Sequence, residues 1–309
     1  ALFMRNCSNE LMVTIRCLAY NHEAYIRQCL DGFVMQRTSF RFEAIVHDDA
    51  STDGTAGIIR EYAERYPDII KPIFETENQY SKHDGSIRRI MNQHTRGKYV
   101  AMCEGDDYWI DPLKLQKQVD LLESNKEYSM CFHNAIEHWS DRQKNDTCFS
   151  HIVDREYSGL EIYKNWIIPT ASVVFKKSIL KSNLASCFLD PHFLYGDILF
   201  FLLAASCGKI VGMKDVMSVY RRHEGGAVFG YNVKRMIRSL EHHKQIPKVF
   251  GEQYKMVSEE VRIPLLISIS FHYLKHGSCF LSMKYLKLSL EISPKRTMIY
   301  IYKKIRNKP

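Results

Sequence analysis

No apolar run in this chain approaches the ~20 residues a helix needs to cross a bilayer. The longest candidate, residues 263–274, is broken by Ser268, Ser270 and His272. The opening residues, Ala1-Leu2-Phe3-Met4-Arg5, run straight into a strand-like stretch, which predicts no signal peptide. Cys-x-x-Cys pairs are missing, and the nine cysteines, an odd number, lack the clustered spacing of a zinc ribbon or a disulfide framework. Most of them (Cys17, Cys103, Cys131, Cys207) sit inside apolar runs, where cysteine behaves as a small hydrophobe. The expectation is a reducing, cytoplasmic compartment. No Gly-x-Gly-x-x-Gly follows the first strand and no Gly-x-x-x-x-Gly-Lys occurs, which disfavours Rossmann dehydrogenases and P-loop enzymes. A Gly-x-Ser-x-Gly hydrolase elbow is absent too.

What the chain does have is ordinary globular material: 309 residues, 45% hydrophobic and 25% charged. That excludes a disordered or fibrous chain and leaves ample material for a core. The charge is unevenly placed. From Tyr231 onward there are 16 Lys+Arg and 5 Asp+Glu, whereas the first 230 residues carry 27 basic and 30 acidic groups. A nearly neutral body, 1–230, therefore precedes a basic helical extension, 231–309, with the boundary expected near Gly230.

The body alternates strand and helix patterns. Residues 11–18 read as a buried strand, 23–35 as a helix, 42–46 as a strand, and 56–66 as a helix stopped by Pro67, with Asp53 as its cap. A strand at 69–74, a polar helix at 86–94 and a strand at 99–103 follow. Next come a helix at 113–123 and a strand at 128–133, then an exposed loop or hairpin at 140–154. Later elements are expected at 171–175, 194–207 and 216–220, and everything beyond Val233 reads as helical. Such alternation predicts a parallel sheet wound with crossover helices. Ligands on such sheets bind at the carboxyl ends of strands. Three polar clusters fall there: 19–23, 48–53 and 104–107.

In the third cluster, Asp106 and Asp107 adjoin each other after a buried strand. Two neighbouring carboxylates repel and are costly to desolvate, so a partner is expected. Mg²⁺ or Mn²⁺, which prefers carboxylate and phosphate oxygens, is one candidate; a simple capped turn is the other. Asp49, Ser51, Asp53 and Gly54 match the start of a calcium loop, but its twelfth position is Arg60 instead of glutamate, so that reading fails. His272 and His276 have zinc spacing, yet Tyr273 stands where a metalloprotease needs glutamate, and they read as surface histidines.

Together, Ala-Tyr-Asn-His-Glu at 19–23, His-Asp-Asp-Ala-Ser-Thr-Asp-Gly-Thr at 47–55, and Arg-Gly-Lys-Tyr-Val…Glu-Gly-Asp-Asp ending at 107 resemble family 2 glycosyltransferases of the GT-A fold. The resemblance covers residues 11–125 well, 126–230 loosely and the extension hardly at all. It implies an α/β fold, a Rossmann-like mixed sheet with crossover helices. It also implies a nucleotide-sugar site at Ala19, Tyr20, Asn21 and Glu23, with Asp49 on the base, usually uracil. Asp106 would contact ribose or sugar, and Asp107 would bind the metal, Mn²⁺ or Mg²⁺, on the donor diphosphate. Arg88 or Arg89 would approach the nucleotide. Asp197 takes the place of the catalytic base, although the family's usual Glu-Asp is here Gly196-Asp197; a helix N-cap is its other reading. Tyr220–Gly226 resembles the family's Arg-x-His-x-Gly-Gly segment, so His223 adds a metal ligand, a phosphate contact or an ordinary loop histidine.

The implied activity is inverting transfer, of hexosyltransferase type, from a UDP-linked sugar to a hydroxyl of a glycan or lipid-linked acceptor in cell-surface polysaccharide synthesis. A non-catalytic nucleotide- or glycan-binding module acting with a partner protein is the rival. A sugar-phosphate nucleotidyltransferase would need a Gly-rich basic loop after the first strand, which 19–23 does not supply. The extension reads as a solvated helical face, as a cationic amphipathic end for an anionic membrane surface, or as a nucleic-acid binder. Nothing in the body supports base reading, so no nucleic-acid partner is expected.

Overall fold

A computed structural model of the chain describes residues 8–140, 144–223 and 232–306. Its chain contacts divide into two compact units, each considered by itself. The first comprises Ala1–Ile162, Trp166–Ala185 and Leu203–Glu224; the second comprises Tyr163–Asn165, Ser186–Leu202 and Gly225–Pro309. The boundary expected near Gly230, and Gly225-Gly226 with it, lies outside the described residues.

The first unit is built on one sheet. Strands β1 (Ser8–Ala19), β2 (Phe40–Asp48), β3 (Ile70–Phe74) and β4 (Tyr99–Met102) alternate with helices α1 (Ile26–Val34), α2 (Thr55–Arg65) and α3 (Ser86–His94). After β5 (Tyr108–Trp109) come α4 (Lys114–Ser124), β6 (Tyr128–Trp139), β7 (Thr147–Cys148), β8 (Arg155–Tyr157) and α5 (Gly159–Asn165). The series ends with β9 (Val174–Lys176), α6 (Gly196–Cys207) and β10 (Lys209–Arg222), although Tyr163–Asn165 of α5 and Gly196–Leu202 of α6 count with the second unit. The sheet order is β3-β2-β1-β4-β9-β6-β10-β5, with β7 and β8 attached to β6 and β10.

β1 to β4 pair in parallel, as their βαβ connections require. The antiparallel β9 then joins β4 to β6, and β6 runs parallel with β10. The sheet is therefore mixed. Val13, Ile15 and Cys17 form one fully buried face of β1. On β2 both faces are buried, Ala44 and Val46 on one and Ile45 and His47 on the other, so β2 lacks the exposed face that alternation would reveal. β10 is much longer than the 216–220 expected. Lys214 and Asp215 fall at an irregularity between Met213 and Val216 that interrupts its pattern without ending its pairing with β6.

One interior feature escapes sequence patterning. Lys114, in the first turn of α4, is fully buried; its Nζ lies 4.0 Å from the Trp109 ring centre and donates to Gln118 Oε1 at 2.7 Å. Gln118 in turn donates to the Ser172 carbonyl, and Trp109 Nε1 to that of Ala171. Burial pushes the Lys114 ammonium down to about 7. The device anchors β5, the strand that directly follows the Asp106–Asp107 loop.

The second unit is mainly helical: α7 (Val233–Phe250), α8 (Lys255–Lys275), α9 (Cys279–Ile292) and α10 (Pro294–Arg306). No described helix is long and apolar enough to cross a membrane.

Candidate active site

The first two polar clusters form one laced structure. Asn21, at φ 54°, donates its N–H to Ser51 Oγ at 2.9 Å and accepts the Thr52 N–H on Oδ1 at 2.8 Å. The left-handed backbone that Asn tolerates makes this turn possible. The His22 N–H reaches Thr55 Oγ1, the Glu23 N–H reaches Asp53, and Glu23 Oε2 accepts the Gly54 N–H. Asp53 also accepts the Thr55 N–H two residues on, closing a local turn. The N-cap of α2 is Gly54 and no side chain caps the helix, so the cap expected at Asp53 is not formed. The Asn21, Glu23, Ser51 and Asp53 side chains are thus engaged in joining the two loops. Ala19 is buried, and its carbonyl accepts the Asp49 N–H; Tyr20 is exposed.

Asp49 is buried at the end of β2. Its two carboxylate oxygens accept the backbone N–H groups of Gln79 (2.7 Å) and Tyr80 (3.0 Å), fixing the segment after β3 over the strand ends. Each oxygen keeps a lone pair for a further donor such as a base imide. Arg89 turns back to Asp84 and Ser86 at the start of its own helix, and Arg88 donates to the Ala185 carbonyl.

The third cluster meets β10. β5 turns back antiparallel to β10, pairing Tyr108 with Val219 and Trp109 with Ser218. This carries Arg221 and His223 to the Asp106–Asp107 loop from more than a hundred residues away. The Arg221 N–H donates to Asp107 Oδ1 at 2.8 Å and its Nε to the Asp106 carbonyl at 2.8 Å. Its guanidinium lies against the rings of Tyr25 and Tyr108. His223 Nε2 is 3.0 Å from Asp106 Oδ2, and His22 Nε2 approaches the same oxygen at 3.9 Å. Gly105 makes this approach possible: a Cβ there would stand 2.7 Å from His22 Nδ1.

The two aspartates thus differ. Burial works to raise the Asp106 carboxyl, but the His223 hydrogen bond and the nearby His22 outweigh it, and Asp106 titrates below its usual range. Asp107 is almost wholly enclosed; burial, reinforced by the Asp106 charge, holds its carboxyl well above the usual range. Burial also lowers His22, with Asp106 opposing, and His22 Nδ1 is enclosed with no hydrogen-bond partner among the described residues.

The resemblance assigned the metal to Asp107 and His223; the carboxylate oxygen that meets His223 in the structure belongs to Asp106. Carboxylate and imidazole are side-chain types that can ligate a divalent cation together with diphosphate oxygens and water, and Asp106 with His223 and His22 brings both types to one place. No group of three or more His, Cys, Asp or Glu side chains among the described residues is already gathered to hold a metal on its own.

His22 and Arg221 are the site residues that motif reading passed over, although both stand inside segments it singled out. Asp197 lies in the first turn of α6, in the second unit, and its Oδ1 accepts the Ile198 N–H. Of the surface histidines, His276 Nδ1 donates to the His272 carbonyl, and the two rings stack at 4.2 Å.

Comparison with known proteins assigns the class. The family model for glycosyl transferase family 2 matches residues 17–183, more than half of the chain, and the chain belongs to that family. Uncharacterized protein Rv1520 of Mycobacterium tuberculosis is 37% identical over 214 residues, 69% of this chain and 60% of that protein. The chain thus spans about 60% of the length of the first curated relatives it matches. The UDP-Glc:alpha-D-GlcNAc-diphosphoundecaprenol beta-1,3-glucosyltransferase WfaP of Escherichia coli is 25% identical, covering 76% of this chain and 86% of that one.

Among solved structures, S. aureus TarS 1-349 in complex with UDP-GlcNAc has a TM-score of 0.63 at 18% identity, covering 93% of this chain and 83% of that one. The mannosyltransferase PcManGT of Pyrobaculum calidifontis, in complex with GDP-Man and Mn²⁺, has a TM-score of 0.58 at 16% identity, covering 97% and 81%. The fold is GT-A-like, a mixed sheet with flanking helices, followed by C-terminal helices.

Proposed function

We propose that the chain moves a hexose from a nucleotide-diphosphate sugar, with uridine as its nucleoside, to a hydroxyl of a glycan or lipid-linked acceptor, inverting the anomeric configuration. The observation that carries this is the convergence of Asp106, Asp107, His223 and His22 where β1, β4 and β10 end, beside the enclosed carboxylate of Asp49. Uridine is favoured because Asp49 keeps acceptor capacity for an imide N–H, and because TarS binds UDP-GlcNAc. A lipid-linked acceptor and a role in cell-surface polysaccharide synthesis draw support from the activity in WfaP's name. Such an acceptor sets the enzyme in the cytoplasm, at the inner face of the membrane.

The residues divide the work. Asp49 orients the base, while the backbone of 19–23 lines the nucleotide. Arg88 or Arg89 supplies positive charge on the nucleotide side. Asp106 and Asp107, with His223, would hold Mn²⁺ or Mg²⁺. A cation there supplies Lewis-acid neutralisation of the charge growing on the leaving diphosphate. Asp197 accepts the proton of the acceptor hydroxyl as its oxygen attacks the anomeric carbon from the face opposite the diphosphate. One displacement needs no covalent sugar–enzyme intermediate.

Thermal shift against UDP, GDP and dTDP, each with and without Mn²⁺, tests the donor site. A ligand at a hundred times its Kd adds about 2.7 kcal/mol to apparent stability. A Mn²⁺-dependent UDP shift is expected. Asp197→Asn should keep that shift while transfer falls about 10²–10⁴-fold, the usual share of a general base. No shift with any nucleotide, in a folded sample, would return the chain to a non-catalytic module.

A further inference from the structure

The outer surfaces of α9 and α10 are unlike the rest of the described protein. Eight of the seventeen large hydrophobic side chains that are exposed lie on these two helices. On α10, Thr297 is buried, whereas Met298, Tyr302 and Ile305 are 60%, 61% and 58% exposed. Their i, i+4, i+7 spacing sets them in one stripe along the helix. At 100° per residue, Lys295, Arg306 and Lys303 follow along the next face. α9 adds Phe280 and Met283, 81% and 71% exposed, followed by Lys284 and Lys287.

The charge is as one-sided as the exposure. α10 carries Lys295, Arg296, Lys303, Lys304 and Arg306 and no acidic residue, and the one acid of α9 is Glu291. Arg296 meets Glu260, Lys287 meets Glu291 at 3.9 Å, and Lys304 donates to Ser268. No carboxylate among the described residues pairs with Lys284, Lys295, Lys303 or Arg306.

We propose that this surface seats the second unit on an anionic lipid bilayer, with the helices lying in the plane of the headgroups. The partner must take up exposed aliphatic and aromatic side chains and balance an excess of cations. A bilayer with anionic headgroups does both, because its apolar layer starts a few ångströms beneath its negative surface. A second copy of the chain would bring the same uncompensated cations against themselves. Nucleic acid would answer the charge but leave the Met298–Tyr302–Ile305 stripe in water. The proposal concerns the second unit alone and stands or falls independently of the donor site.

Flotation of the full chain with vesicles decides it. The parent protein should float with phosphatidylglycerol-containing vesicles, stay behind with pure phosphatidylcholine, and lose binding at high salt. M298S/Y302S/I305S should reduce the bound fraction at least tenfold. K295E/K303E/R306E should weaken it by at least about fivefold for each cation removed. Both variants should keep the parent's melting temperature and nucleotide response, which separates a lost surface from a lost fold. No flotation of the parent, or equal flotation of parent and variants, overturns the proposal. So does a dimer that the variants convert to monomer without any vesicle binding, or retention on an RNA or DNA column lost in the variants while vesicle binding persists.

Discussion

The strand-end loops of the first unit and the outer surface of α9 and α10 draw on the same residue types, tyrosine and cationic side chains, and use them in opposite ways. In the loops nearly every polar group has a protein partner: Asn21 with Ser51 and Thr52, Glu23 with Gly54, Asp49 with Gln79 and Tyr80, Arg221 with both aspartates. Arg221 lies against two tyrosines there and is held from three sides. On α10, Lys303 and Arg306 also lie near tyrosine rings, yet those rings face water and no carboxylate among the described residues answers them. A preorganised site binds by having its cost of ordering met during folding; a surface of long cations and loose apolar groups binds by area and charge. Substitutions should therefore act sharply and locally in the first region and gradually in the second.

The widest gap is expected at the paired carboxylates. Asp106→Asn leaves His223 and His22 without their shared anion and should lower transfer about 10³-fold or more, as loss of metal-held charge stabilisation does. It should also abolish the Mn²⁺ dependence of the nucleotide thermal shift. A variant retaining the full Mn²⁺-dependent shift would remove Asp106 from the site.

Next comes the buried lysine behind the loop. Its folded value, about 7, lies below the 10.5 of an ordinary lysine. Between these values the unfolded chain holds a proton that the folded one has released, so stability rises with pH. From pH 7 to 9 the parent should gain about 2–3 kcal/mol relative to Lys114→Met in urea unfolding. Parallel pH profiles would mean that Lys114 stays protonated in the fold.

Gly105→Ala places a methyl group against His22 and should cost about 2 kcal/mol, as overpacking does, with nucleotide binding weakened alongside. Unfolding midpoints and the thermal shift read both effects. Smallest is the effect of M298S/Y302S/I305S on folding: within about 0.5 kcal/mol for each substitution, because these side chains are largely in water. A large loss of stability would show that the stripe is part of a core.

Much of this was legible along the chain. The strand and helix order through β4 could be read from periodicity, and α3 was expected at its observed bounds. Periodicity failed where burial is not periodic. The antiparallel β9 enters the sheet as only three residues, and β10 was read at a third of its length because Lys214 and Asp215 interrupt it. The burial of Lys114 could not be read from the helix pattern at 113–123, since a lysine's burial depends on what packs over it and not on its neighbours in sequence.

By itself the sequence determined which polar clusters end which strands, the GT-A class those clusters resemble, and the concentration of basic charge after Tyr231. These are local properties, set by side-chain alternation and by what a strand end can tolerate. Only the tertiary structure decided that His223 faces Asp106 while Asp107 is enclosed and holds the Arg221 backbone. It also decided that Asn21 and Glu23 join two loops, and that Met298, Tyr302 and Ile305 share one exposed stripe. For the two aspartates the reason is the pairing of β5 with β10, which brings residues more than a hundred apart within about 3 Å. A long-range contact of that kind leaves no periodicity in either segment, because each is shaped by the other only once the sheet has formed.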